Sequence, residues 1–176
     1  MTPDVLKLSA TALALGFPAL AIVAALRDAA TMTIPNWISA ALVLAFFPAA
    51  LVVGLPAAAI GIAAALGFGA LLAGMAMFAL NWIGGGDAKL FAASALWLGL
   101  PGLAPFLAFT AMAGGLLAVS LLGARKAAPA LPFRGPAWLD RLLRDGGDVP
   151  YGVAIAAGAL AAFPESPLAK GFHAFF

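Results

Sequence analysis

The chain contains no cysteine and a single histidine, His173. Without thiols there can be no disulfide framework, thiolate zinc site, iron–sulfur cluster or cysteine nucleophile. One histidine cannot build the paired-histidine zinc helix of a metalloprotease. Lying among the last residues, His173 is also poorly placed as the base of a serine nucleophile. No P-loop occurs, which argues against nucleotide hydrolysis. Charge is scarce: 9% of the 176 residues are Asp, Glu, Lys or Arg, against roughly 25% in an ordinary soluble domain. Nine basic and seven acidic residues give a net charge of +2, too little to form a nucleic-acid-binding face. No nucleic-acid partner, metal or cofactor is expected.

Apolar residues make up 65% of the chain, and its mean hydropathy is +1.10. So much apolar surface cannot be hidden by a soluble fold of this length, nor does the composition suit a disordered chain. The expected fold class is therefore all-α: a polytopic integral membrane protein of about six spans, forming one domain over residues 1–176. A spanning helix needs about 20 mostly apolar residues. Candidate spans are 5–26, 37–53, 55–80, 88–104, 106–122 and 151–163. The first is too long for the apolar core of a secretory signal and is followed by further spans. Gly84-Gly85-Gly86 breaks the backbone before the fourth span, and Pro101-Gly102 with Pro105 ends it. Gly61, Gly67, Gly69, Gly74, Gly114, Gly115 and Gly158 suit close helix packing rather than a site.

Six spans put both termini on one side and the turns 27–36, 81–89 and 124–149 on the other. Those turns hold Arg27, Lys89, Arg125, Lys126, Arg134, Arg141 and Arg144, whereas the first side holds Lys7 and Lys170. The positive-inside rule then predicts that the three turns are cytoplasmic and the termini extracytoplasmic. Within the longest turn, Trp138, Leu139, Leu142 and Leu143 fall on one arc and Asp140, Arg141, Arg144 and Asp145 on the other. That spacing predicts a short helix on the membrane surface.

Carboxylates are the remaining source of chemistry, and one placed at membrane depth is costly enough to suggest a function. Asp28 ends the first span and Asp87 opens the fourth, so the topology puts both at one face. Asp4 and Glu165 fall on the other side, while Asp140, Asp145 and Asp148 lie in the polar turn, where solvation explains them. Two carboxylates at one depth suit aspartic proteolysis: one ionised to activate a water, the other protonated to polarise the peptide carbonyl. Alternatives remain for each. Asp28 beside Arg27 could form an interfacial ion pair. Asp87 could simply N-cap the following helix. Lys89 could snorkel to the interface rather than anchor substrate.

The stretch Gly84-x-Gly86-Asp87-Ala88-Lys89-Leu90 resembles the GxGDxKL signature of the type IV prepilin peptidases. Asp28, followed by Ile34-Pro35-Asn36-Trp37, is similar to that family's first aspartate element, and Pro150-Tyr151-Gly152 resembles a third feature. The likeness implies a membrane-embedded aspartic endopeptidase of the bacterial inner membrane, with Asp28 and Asp87 catalytic. Gly84, Gly86, Lys89, Pro35 and Asn36 would shape the site or bind substrate. It also implies cleavage of a short basic leader from prepilins, after a glycine, at the cytoplasmic face, with the pilus assembly machinery and the lipid bilayer as partners. Lacking cysteines and an N-terminal insertion, the chain is similar to the short branch serving tight-adherence (Flp-type) pili, so N-methyltransferase activity is not expected. Ala29-Ala30-Thr31-Met32-Thr33 lacks the basic residue that relatives often carry there.

Two other readings compete with it. A small proton- or cation-coupled transporter could use the same aspartates as a relay, with Gly84–Gly86 as a discontinuous-helix site. A non-catalytic scaffold would tolerate loss of both.

Overall fold

The computed structural model describes residues 3–130 and 135–173. Arg134, one of the basic residues used for the orientation, lies outside the described residues. The described chain forms α1 (Pro3–Thr31), α2 (Asn36–Val53), α3 (Ala57–Ala79), α4 (Gly85–Ala127), α5 (Ala137–Leu142), α6 (Tyr151–Ala162) and α7 (Pro167–His173). Among the described residues there is no strand, and α1 to α4 contain segments long and apolar enough to cross a membrane. The protein is an all-helical polytopic membrane protein. Leu44, Leu51, Met112, Leu116 and Val119 stand exposed on its outer surface, which suits lipid rather than water.

Two turns show why the chain breaks where it does. After α2, Gly54 takes the left-handed conformation at φ 73°, and the Leu55 N–H bonds back to the Ala50 carbonyl. After α3, Asn81 does the same at φ 59°, with the Trp82 N–H donating to the Met77 carbonyl at 2.9 Å. Both close the orphan carbonyls of a helix end by the left-handed cap that glycine and asparagine favour.

α4 is two antiparallel arms, 85–98 and 100–127, joined at Gly99, whose φ of 59° and ψ of −170° are not helical. The rings of Phe91 and Phe106 stack with centroids 4.9 Å apart. In a straight helix, at 1.5 Å per residue, they would lie about 22 Å apart, so the chain must reverse between them. The sequence placed this interruption at Pro101-Gly102. Instead Gly99 absorbs the turn, because only glycine adopts that backbone without strain. Pro101 falls in the first turn of the outgoing arm, where its missing N–H removes no hydrogen bond. α7 is a helix the sequence reading did not assign; it buries Leu168 and Phe172.

The core is organised around Trp97 in the first arm of α4. Its ring stacks on Phe17 of α1 at 5.1 Å and meets Phe46 of α2 edge-on at 6.1 Å. Its indole N–H donates to the Leu42 carbonyl at 2.8 Å, satisfying the one polar atom it buries. Trp97→Ala is expected to cost about 3 kcal/mol, read as a lower melting temperature of the detergent-solubilised protein. An unchanged melting temperature would show that Trp97 does not hold these helices together.

Small residues set the closest helix approaches. A Cβ on Gly74 would lie 2.9 Å from that of Ala88, one on Gly67 3.0 Å from that of Leu96, and one on Gly114 2.7 Å from the Tyr151 hydroxyl; one on Gly158 would strike Thr110. Gly61, Gly69 and Gly115 instead face open space, so only part of the predicted glycine packing is used.

Candidate active site

Asp28 lies in the last turn of α1 and is 5% exposed. It does not pair with Arg27: among the described residues the only ion pair is Lys170 to Glu165, at 2.9 Å. Its Oδ2 accepts the Gly152 N–H at 2.7 Å, with the Val153 N–H also directed to the carboxylate. Gly152 is in the first turn of α6, where backbone N–H groups have no helical partner. An aspartate from a distant helix therefore caps α6, and the positive end of the helix dipole favours a negative group there. The approach requires glycine. A Cβ at 152 would sit 2.8 Å from the Asp28 Oδ2 and 2.6 Å from the Ile34 Cδ1.

Asp87 is also at a helix N-terminus, its own. α4 begins at Gly85 with Gly84 as the capping residue, so Asp87 occupies the third helical position, not the N-cap that the sequence suggested. Its Oδ2 accepts the Gly84 N–H at 3.3 Å, the return half of a capping box. The carboxylate is half-buried and near enough to Asp28 to feel its charge.

Both aspartates line one cavity of about 600 Å³ between the ends of α1, α3, α4 and α6, a volume in the range of substrate pockets. Trp82, 70% exposed, and Tyr151 contribute aromatic walls. Met32 and Asn81, also lining it, are the two non-glycine residues with positive φ among the described residues, at 54° and 59°. For methionine that backbone is strained, and such strain concentrates at functional sites.

Asp148 lines the same cavity. The sequence reading left it to solvent in a polar turn, and no local pattern marks it. What brings it in is Arg125, near the end of α4, whose guanidinium donates to the Asp148 carbonyl at 2.7 Å and the Leu142 carbonyl at 2.9 Å. From α5, Arg141 donates to the Ala30 carbonyl at 2.9 Å, two residues beyond Asp28. Residues 137–142 of that turn do form a short helix, α5, tied by hydrogen bond to the end of α1. Arg125→Ala is expected to free residues 142–149, speeding their amide exchange about tenfold to a hundredfold, given roughly 1.5–3 kcal/mol for hydrogen bonds from a charged group. Lysine, unable to fork to two carbonyls, should restore only part of the protection. Exchange equal to wild type in Arg125→Ala would refute the clamp.

The other residues singled out from sequence are placed differently. Gly84 lines the cavity. Gly86 lies against Ile34, whose Cβ would be 3.0 Å from a Cβ added at 86, so the first aspartate element packs directly on the second. Pro35 caps α2. Lys89 turns away from the aspartates and donates to the Asn36 Oδ1 at 2.8 Å, both lining a separate groove.

The fold and site define a helical membrane protein with two helix-end carboxylates on one cavity. Residues 15–119 match the model of the type IV leader peptidase family. This is more than half of the chain and includes both aspartates; the protein belongs to that family, and membership implies a peptidase. No curated protein and no solved structure matches the chain.

Proposed function

We propose that the chain is an aspartic endopeptidase that removes the basic leader of prepilins, cutting after a glycine at the cytoplasmic face of the bacterial inner membrane. The observation that carries this is the meeting of Asp28 and Asp87 on one cavity. Their surroundings are unequal: Asp28 is buried and tightly bonded, Asp87 half-buried and loosely bonded. Unequal surroundings are what separate acid from base in a carboxylate pair.

In the reaction, the ionised carboxylate takes a proton from water as the water oxygen adds to the scissile carbonyl carbon. The protonated carboxyl gives its proton to the carbonyl oxygen. Collapse of the tetrahedral species breaks the C–N bond, and a proton passes to the departing amine. Asp148 and Trp82 supply the cavity with a third carboxylate and an open aromatic face, and none of its lining residues is Lys or Arg. That lining suits the cationic side chains of a basic leader.

The end of the fold bearing the aspartates also carries Arg125 and Arg141, which by the positive-inside rule supports a cytoplasmic placement. The absence of cysteine supports the short, tight-adherence branch without methyltransferase activity. The relay alternative is not supported: Gly84 caps α4 and Gly85 and Gly86 open its first turn, so Gly84–Gly86 begins a helix rather than interrupting a span. Co-expression with a prepilin of basic leader should give a shortened pilin whose new N-terminus directly follows the glycine. An unshortened prepilin beside correctly inserted protein would refute the reading.

A further inference from the structure

α2 and α3 are consecutive and joined by a short turn, yet they scarcely touch. Between them, floored by the first arm of α4, runs an open groove of about 710 Å³. Its lining is apolar except at one end, where Asn36, Ser39 and Lys89 gather.

The polar end has the chemistry of an anion site. Lys89 spends one N–H on the Asn36 Oδ1, leaving two of the three donors of an ammonium group. That same bond fixes the Asn36 amide, because lysine only donates, so its NH₂ group is available as well. Lys89 pairs with no carboxylate among the described residues. Three residues further along α2, about 4.5 Å deeper, the Ser39 hydroxyl is buried without a hydrogen-bond partner. Ser39 is 6% exposed and lines the groove. An unsatisfied buried hydroxyl is costly, and an acceptor on a groove occupant would relieve the cost.

The groove's length selects the occupant. From Asn36 to Phe47, the deepest of its α2 residues, is about 16 Å of helix, roughly half of a hydrocarbon core of about 30 Å. A spanning helix would need the full thickness, whereas a lipid occupies one leaflet. We propose that this groove binds one acidic glycerophospholipid from the leaflet on the aspartate side. Its phosphate meets Lys89 and the Asn36 amide, an ester carbonyl accepts the Ser39 hydroxyl one turn deeper, and an acyl chain lies over Ala40, Val43 and Leu96. This site is separate from the aspartate cavity and does not depend on the peptidase reading.

The test is native mass spectrometry of the detergent-solubilised full chain titrated with phosphatidylglycerol or, as zwitterionic control, phosphatidylcholine. Wild type should retain one phosphatidylglycerol, bound more tightly than phosphatidylcholine. Lys89→Ala should weaken retention about fivefold, Lys89→Arg should preserve it, and Ala40→Phe, which fills the groove, should abolish it. Each variant is compared at unchanged melting temperature, and a variant that melts lower is judged by the remaining two. Equal retention of both lipids, or phosphatidylglycerol retention that none of the three changes alters, would overturn the proposal. Displacement of phosphatidylglycerol by the apolar segment of a substrate, insensitive to Lys89→Ala, would overturn it in favour of a peptide site.

Discussion

Asp28→Asn and Asp87→Asn, each alone, are expected to lower the rate of leader cleavage by about 10³-fold or more, the range of a lost acid–base group. Asparagine is the informative replacement because its side-chain oxygen can still accept the N–H that each aspartate accepts. At position 28 that is the Gly152 N–H at 2.7 Å, and at position 87 the Gly84 N–H at 3.3 Å. Helix capping, insertion and abundance should therefore survive while proton transfer does not. The two roles belong to one step, so the double variant should be no slower than the worse single one. Cleavage near the wild-type rate in either variant would remove that residue from the mechanism.

Gly152→Ala is expected to lower kcat by about 10²-fold with little change in KM, the cost of moving a catalytic group by about 1 Å. The added methyl would sit 2.8 Å from the Asp28 Oδ2 and 2.6 Å from the Ile34 Cδ1, and either the carboxylate or the start of α6 must shift. In the proposed mechanism Gly152 acts through Asp28 and does not itself touch the reacting bond. Gly115→Ala, where the added methyl meets nothing within 4 Å, is the matched control and should leave kcat unchanged. A wild-type kcat in Gly152→Ala would show that the Asp28–Gly152 hydrogen bond is not needed for the reaction.

Some of this was legible in the sequence and some could not be. Long apolar runs announce helices because a bilayer demands that every backbone bond be satisfied within its own helix. α2 accordingly spans 36–53 where 37–53 was expected. The bend at Gly99 was misplaced because proline is the stronger local signal, while the actual turn depends on where the returning arm packs. Asp28 and Asp87 stood out because ionised groups are rare in so apolar a chain. Asp148 did not, since its place at the cavity comes from Arg125, twenty-three residues away. Lys89 and Asp87 belong to the same motif yet serve different surfaces, because residues two apart on a helix point to nearly opposite sides.

The proposed reaction needs the two aspartates on one cavity to hydrolyse a peptide bond. Its most direct test uses the purified full chain, Asp28→Asn and Asp87→Asn, each incubated in detergent with a synthetic prepilin segment and followed by mass spectrometry. Wild type should give two products, separated at the bond after the glycine and together heavier than the substrate by one water, and neither variant should give any. Intact substrate with the wild type, or the same products from both variants, would contradict it.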